Sequence, residues 1–93
     1  MAKQVHAAHI LVKEEAKAKE LLAKINSGES FSDLAKKYSQ CPSGKKGGDL
    51  GWFGRGQMVK PFEDACFGNS KGTTVGPVKT DFGWHLIKVL EER

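Results

Sequence analysis

The chain has 93 residues, enough for one domain and too few for two. With 39% hydrophobic and 28% charged residues and only short apolar runs, it reads as a folded globular chain, neither disordered nor membrane-spanning. The formal net charge of +4 is mildly basic: it suits acidic surfaces and weak nonspecific nucleic-acid contact, but is mainly a solvated surface.

The first residues carry one lysine and no apolar leader core, which reads as a cytoplasmic start. Residues 5–12 (VHAAHILV) are apolar on both alternating faces, the pattern of a strand covered on both sides, and so are placed centrally in a sheet. His9 shares a face with Val5, Ala7 and Leu11, and His6 lies on the other with Ala8 and Ile10. Residues 14–27 predict a helix with Ala18, Leu21, Leu22 and Ile25 on one stripe, i,i+4 pairs Glu15–Lys19 and Glu20–Lys24, and Gly28 as its stop. Ser30 is the expected N-cap of a second helix, with Asp33 three residues on and Phe31, Leu34, Ala35 and Tyr38 as its apolar face.

Between Cys41 and Gly56 the composition changes. Gly44, Gly47, Gly48, Gly51, Gly54 and Gly56 mark turns and close backbone approach, with a short strand over 50–53. Leu50, Trp52 and Phe53 are unlike linker residues, so the segment reads as a shaped loop. Pro61 opens a short helix that Gly68 closes, with Glu63 and Asp64 in its first turn. Residues 69–74 read as a polar turn and 76–80 as a short edge strand, because Pro77 cannot donate to a ladder. After a turn at 81–83, residues 84–90 form a last strand, again apolar on both faces and therefore central. The whole is an α+β domain over 1–93: a four-stranded antiparallel sheet wrapped by about three to four helices. Cys41 and Cys66 lack CxxC spacing and the histidines lack HxxxH spacing, so free thiols and no metal site are expected.

Four segments carry a resemblance. Residues 9–13 (HILVK), 39–53 (SQCPSGKKGGDLGWF), 56–63 (GQMVKPFE) and 76–87 (GPVKTDFGWHLI) resemble, in order and spacing, the parvulin-type peptidyl-prolyl cis/trans isomerases, and the likeness runs over about residues 5–91. It implies a parvulin/FKBP-like sheet with the active site on the face bearing the two histidines. It further implies a polar core of His9, Cys41, Thr80 and His85, a proline pocket of Leu50, Met58 and Phe62 with Phe82 beside it, and Gln57 at the rim. No cofactor or metal is implied. The expected partners are proline-containing peptides and unfolded or partly folded proteins, met by a monomer acting as a folding helper.

Such an enzyme breaks no bond; it must only bind the twisted amide better than the planar forms. On that ground His9 and His85 are expected to fix the shape of the pocket rather than to act as acid and base. Cys41 invites a nucleophile reading, but relatives with aspartate at this place point to a polar role. The phospho-specific branch of the family carries an arginine-rich loop after its first strand. Here Lys13 is followed directly by Glu14 and Glu15, so unmodified substrates are expected. Two other readings remain at this point: a proline-binding or chaperone module without catalysis, and a nucleic-acid surface formed by Lys45, Lys46, Arg55 and Lys60.

Overall fold

Two strands from opposite ends of the sequence pair in the middle of one sheet. The computed structural model describes residues 3–69 and 71–93. Its elements are β1 (Gln4–Val12), α1 (Glu15–Asn26), α2 (Phe31–Tyr38), a 3-10 turn (Pro42–Lys46), β2 (Asp49–Gly54), α3 (Lys60–Phe67), β3 (Thr74–Thr80) and β4 (Gly83–Glu92). The sheet order is β2-β1-β4-β3, antiparallel throughout. The two strands expected in the centre lie there, and the proline-containing strand lies at an edge.

The double-sided apolar pattern of β1 and β4 follows from what covers them. On one face Ala8, Ile10, Val12 and Leu86 pack with Ala18 and Leu21 of α1 and Phe31, Leu34 and Ala35 of α2. On the other, Val5, Ala7 and Ile87 pack with Phe53 of β2 and Phe62 and Cys66 of α3. β1 pairs with β4 in the register His9↔Ile87 and Leu11↔His85, which sets the two histidines diagonally on neighbouring strands of this second face. At the far end of the same ladder the Lys3 and Gln4 amides donate to the Arg93 carbonyl and the Arg93 amide donates to that of Gln4.

The local stop and start signals act as their chemistry requires. Ser30 Oγ accepts from the Asp33 amide at 3.2 Å, and Gly28 ends α1 with φ +107° while the Glu29 amide reaches back to the Lys24 carbonyl. Lys19 pairs with Glu15 at 3.9 Å, but Glu20 pairs with Lys17 at 2.7 Å rather than with Lys24. β3 begins at Thr74, earlier than its proline suggests, because a bulge between Val75 and Val78 takes the irregularity of the Gly76–Pro77 step, whose peptide is cis. Among the described residues no helix is long and apolar enough to cross a membrane.

Candidate active site

The glycine-rich segment is indeed shaped. Its first half is the 3-10 turn, which the composition did not suggest. Gly44 sits so close to α2 that a Cβ there would meet the Ala35 carbonyl at 2.9 Å and Ser39 Cβ at 3.1 Å. Gly48 (φ +86°) lies against the His9 backbone, and its carbonyl accepts from the His9 amide at 2.9 Å. These approaches bring Cys41 and Ser43 over the end of β1.

Here a chain of polar groups crosses the sheet. Thr80 Oγ1 lies 2.7 Å from His85 Nε2, His85 Nδ1 lies 2.9 Å from His9 Nδ1, His9 Nε2 lies 3.1 Å from Ser43 Oγ, and the Ser43 hydroxyl donates to Cys41 Sγ at 3.3 Å. The directions follow from the Ser43 end. The Ser43 hydroxyl spends its one proton on Cys41 Sγ, so it accepts from His9 Nε2–H. His9 Nδ1 then accepts from His85 Nδ1–H, and His85 Nε2 accepts the Thr80 hydroxyl proton, while Thr80 Oγ1 accepts from the Phe82 amide at 3.1 Å. Every proton finds an acceptor and both rings are neutral. Neutrality is what the surroundings enforce: burial, and then the neighbouring His85, push the His9 pKa down to about 4, and burial lowers that of His85. Two imidazolium rings would set N–H against N–H at the shared Nδ1 contact.

The Phe62 ring stands nearly perpendicular to both imidazoles, at centroid separations of 5.5 Å to His9 and 5.3 Å to His85. Above this layer opens a cleft of about 520 Å³. His9, Cys41, Leu50, Gln57, Met58, Phe62, Phe82 and His85 all line it, so eight of the nine residues proposed from the sequence meet in one cavity. Thr80 lies behind His85, buried and hydrogen-bonded to its Nε2, and does not itself line the cleft. The cleft also takes in Leu11, Gln40, Pro42 and Val59, which the sequence reading did not single out. Ser43 was missed as well. A serine among glycines reads as turn material, and only its place two residues after Cys41 hinted at more.

The sequence places Glu63 only in the first turn of its helix. In the structure it is buried and accepts from the Gly56 amide, with Arg55 Nη1 at 3.5 Å and Lys60 Nζ at 3.8 Å. This clasp holds the loop 55–60, and with it Gln57 and Met58, against the cleft. It also engages Arg55 and Lys60, so half of the basic rim considered for nucleic acid is already neutralised, Lys60 further by Asp64 at 3.2 Å. Cys41 has no imidazole at its sulfur; Ser43 stands between it and His9. Cys66 is core, and burial pushes its thiol up to about 12. Among the described residues no group of three His, Cys, Asp or Glu side chains is placed to hold a metal ion.

The whole chain, residues 1–93, matches the family of the PPIC-type PPIase domain. It is 56% identical over 90 residues to the foldase protein PrsA of Geobacillus kaustophilus, covering 96% of this chain and 32% of that protein. The chain thus spans about a third of the length of the curated relatives it matches. Among solved structures it superposes on the peptidylprolyl isomerase PrsA of Bacillus anthracis with a TM-score of 0.96 at 41% identity, covering 99% of this chain and 43% of that one. On NmPin, the parvuline of Nitrosopumilus maritimus, the TM-score is 0.88 at 42% identity, covering 98% of this chain and 99% of that one. By the match over its full length, by these relatives and by the fold that unites them, the chain belongs to the PPIC-type, or parvulin, family of peptidyl-prolyl isomerase domains.

Proposed function

We propose that this domain catalyses cis/trans rotation about X-Pro bonds in unmodified peptides and folding proteins, without a covalent intermediate. The observation that carries this reading is the apolar cleft whose floor is a buried, neutral histidine pair. Rotation faces a barrier of about 18–20 kcal/mol because it breaks amide resonance. The twisted amide has less charge separation than the planar one, so apolar walls favour it relative to water. Leu50, Met58 and Phe62 supply such walls and seat the pyrrolidine ring. Gln57 uses Oε1 to accept from the Gly54 amide at 3.1 Å, which leaves its NH2 free to donate to a substrate carbonyl. The histidine pair positions this surface; it exchanges no proton with substrate. Ser43 donating to Cys41 Sγ leaves the thiol as a polar contact and supplies no base to make a thiolate nucleophile.

The preference for unmodified substrates is supported by the short step from β1 to α1, where only Lys13 and Glu14 intervene, and by both arginines being engaged, Arg55 by Glu63 and Arg93 by Gln4 and Trp52. Action as a monomer in a reducing, cytoplasmic setting belongs to the same proposal; the free thiols of Cys41 and Cys66 suit it. The test is NMR exchange spectroscopy on an unphosphorylated Ala-Pro peptide with catalytic amounts of protein. Exchange brought from tens of seconds to the sub-second range supports the proposal, with loss expected in Met58→Ala. Peptide shifts on binding with uncatalysed exchange would leave a proline-binding module instead.

A further inference from the structure

We infer that the proline cleft continues into a cationic subsite, formed by Lys36 and Lys45, that takes an acidic side chain of the substrate two or three residues from the proline; this rests on the isomerase reading above and names a substrate class within it. A second depression of about 370 Å³ opens beside the cleft, and the two share Gln40, Cys41 and Pro42 as a common wall. Lys36, in the last turn of α2, and Lys45, on the 3-10 turn, both line it. Their juxtaposition is built into the fold: the 3-10 turn rests on α2 at Gly44, where only hydrogen fits against the Ala35 carbonyl and Ser39.

The charge of the groove is uneven along its length. Arg55 and Lys60 on the α3 wall are matched by Glu63 and Asp64. Beyond Val59 the groove ends among Lys79, Thr80 and Asp81, one charge of each sign. At the other end, neither Lys36 nor Lys45 has a carboxylate within 4.0 Å among the described residues. The C-terminus of α2 favours Lys36 in its last turn but gives Lys45 no partner. An extended peptide rises roughly 3.3 Å per residue. With the proline seated on Met58 and Phe62, a side chain two or three residues away along that direction passes over the lysines. A carboxylate there gains two cations in a partly enclosed wall.

The experiment walks a single glutamate from three residues before to three residues after the proline of an otherwise neutral peptide. Each peptide is compared with its glutamine twin by exchange spectroscopy at low and high salt. At one offset the glutamate peptide should be turned over roughly three- to five-fold more efficiently, an advantage of the size exposed ion pairs give and one that fades with salt. The ratio should fall to one in Lys36→Gln/Lys45→Gln and reverse in favour of a lysine peptide in Lys36→Glu/Lys45→Glu. No preference at any offset, or a preference that survives the double substitution, overturns the subsite while leaving the isomerase in place. Absence of exchange for every peptide overturns the isomerase reading itself. Phosphoserine far outpacing glutamate at the productive offset assigns the lysines to phosphate and overturns the carboxylate reading. A double variant that loses binding to a single-stranded oligonucleotide but keeps the glutamate preference gives them to nucleic acid and overturns it too.

Discussion

His9 is 5% exposed and held between another imidazole, a serine and a phenylalanine ring, which makes its proton a reporter of folding. An unfolded histidine titrates near 6.5 and this one near 4. Between those values the unfolded chain binds the proton and the folded one does not. Stability is therefore complete above pH 6.5 and declines as the pH falls towards 4, by about 3 kcal/mol for this residue, with His85 acting in the same direction. Urea titrations at pH 7 and pH 4.5 should show the drop, and His9→Gln should reduce it to the share that His85 contributes. Ser43→Ala leaves His9 Nε2–H without its acceptor and should cost about 1–3 kcal/mol in the same assay. Cys41→Asp keeps an acceptor for the Ser43 hydroxyl, so exchange activity should stay within about tenfold of the parent; complete loss in a folded variant would revive the nucleophile. Phe82 is 68% exposed yet lines the cleft. Phe82→Ala should leave stability within about 0.5 kcal/mol and lower kcat/KM by raising KM, a split that steady-state exchange measurements resolve. Most of these residues were legible only through the family resemblance, since Met58 and Phe62 alone look like ordinary core. Ser43 was not legible because its role depends on a loop meeting a distant strand, and the buried pairing of Glu63 was not legible because it depends on the 55–60 loop folding back onto its own helix.

At the level of elements, the strands and α-helices were readable because each leaves a periodic mark. β1 and β4 alternate apolar residues on two faces, and α1 and α2 carry one stripe each. The 3-10 turn leaves no such mark: its shape comes from Pro42, Gly44 and the left-handed Gly47, and from α2 beneath it. The glycines there are structural necessities rather than signs of mobility. Gly48→Ala would place a methyl group on the His9 carbonyl at a φ that L-residues avoid. It should destabilise the protein by at least about 2 kcal/mol and disturb the histidine resonances, whereas alanine at Gly51 meets no neighbouring atom and should cost only its φ of +73°. Thermal melts of the two variants side by side separate packing from backbone strain.

Across the whole molecule, the site exists only because residues 76 apart in sequence come together: His9 enters with β1, the first strand of the chain, and His85 with β4, the last, side by side in the middle of the sheet. The local fold around either histidine carries none of the chemistry. Long-range pairing of this kind slows folding relative to helical domains of equal size, and the site exists only once β1 has closed on β4. The same closing sets Lys3 and Gln4 beside Arg93 in one backbone ladder. A short glycine-rich bridge between those two points would join the chain into a ring without moving the sheet, and new ends could be opened at Gly72, in the exposed turn before β3. Such a circular permutant should keep its catalytic face intact, and the domain is by the same geometry suited to being carried as an insert, entering and leaving a host through one narrow neck.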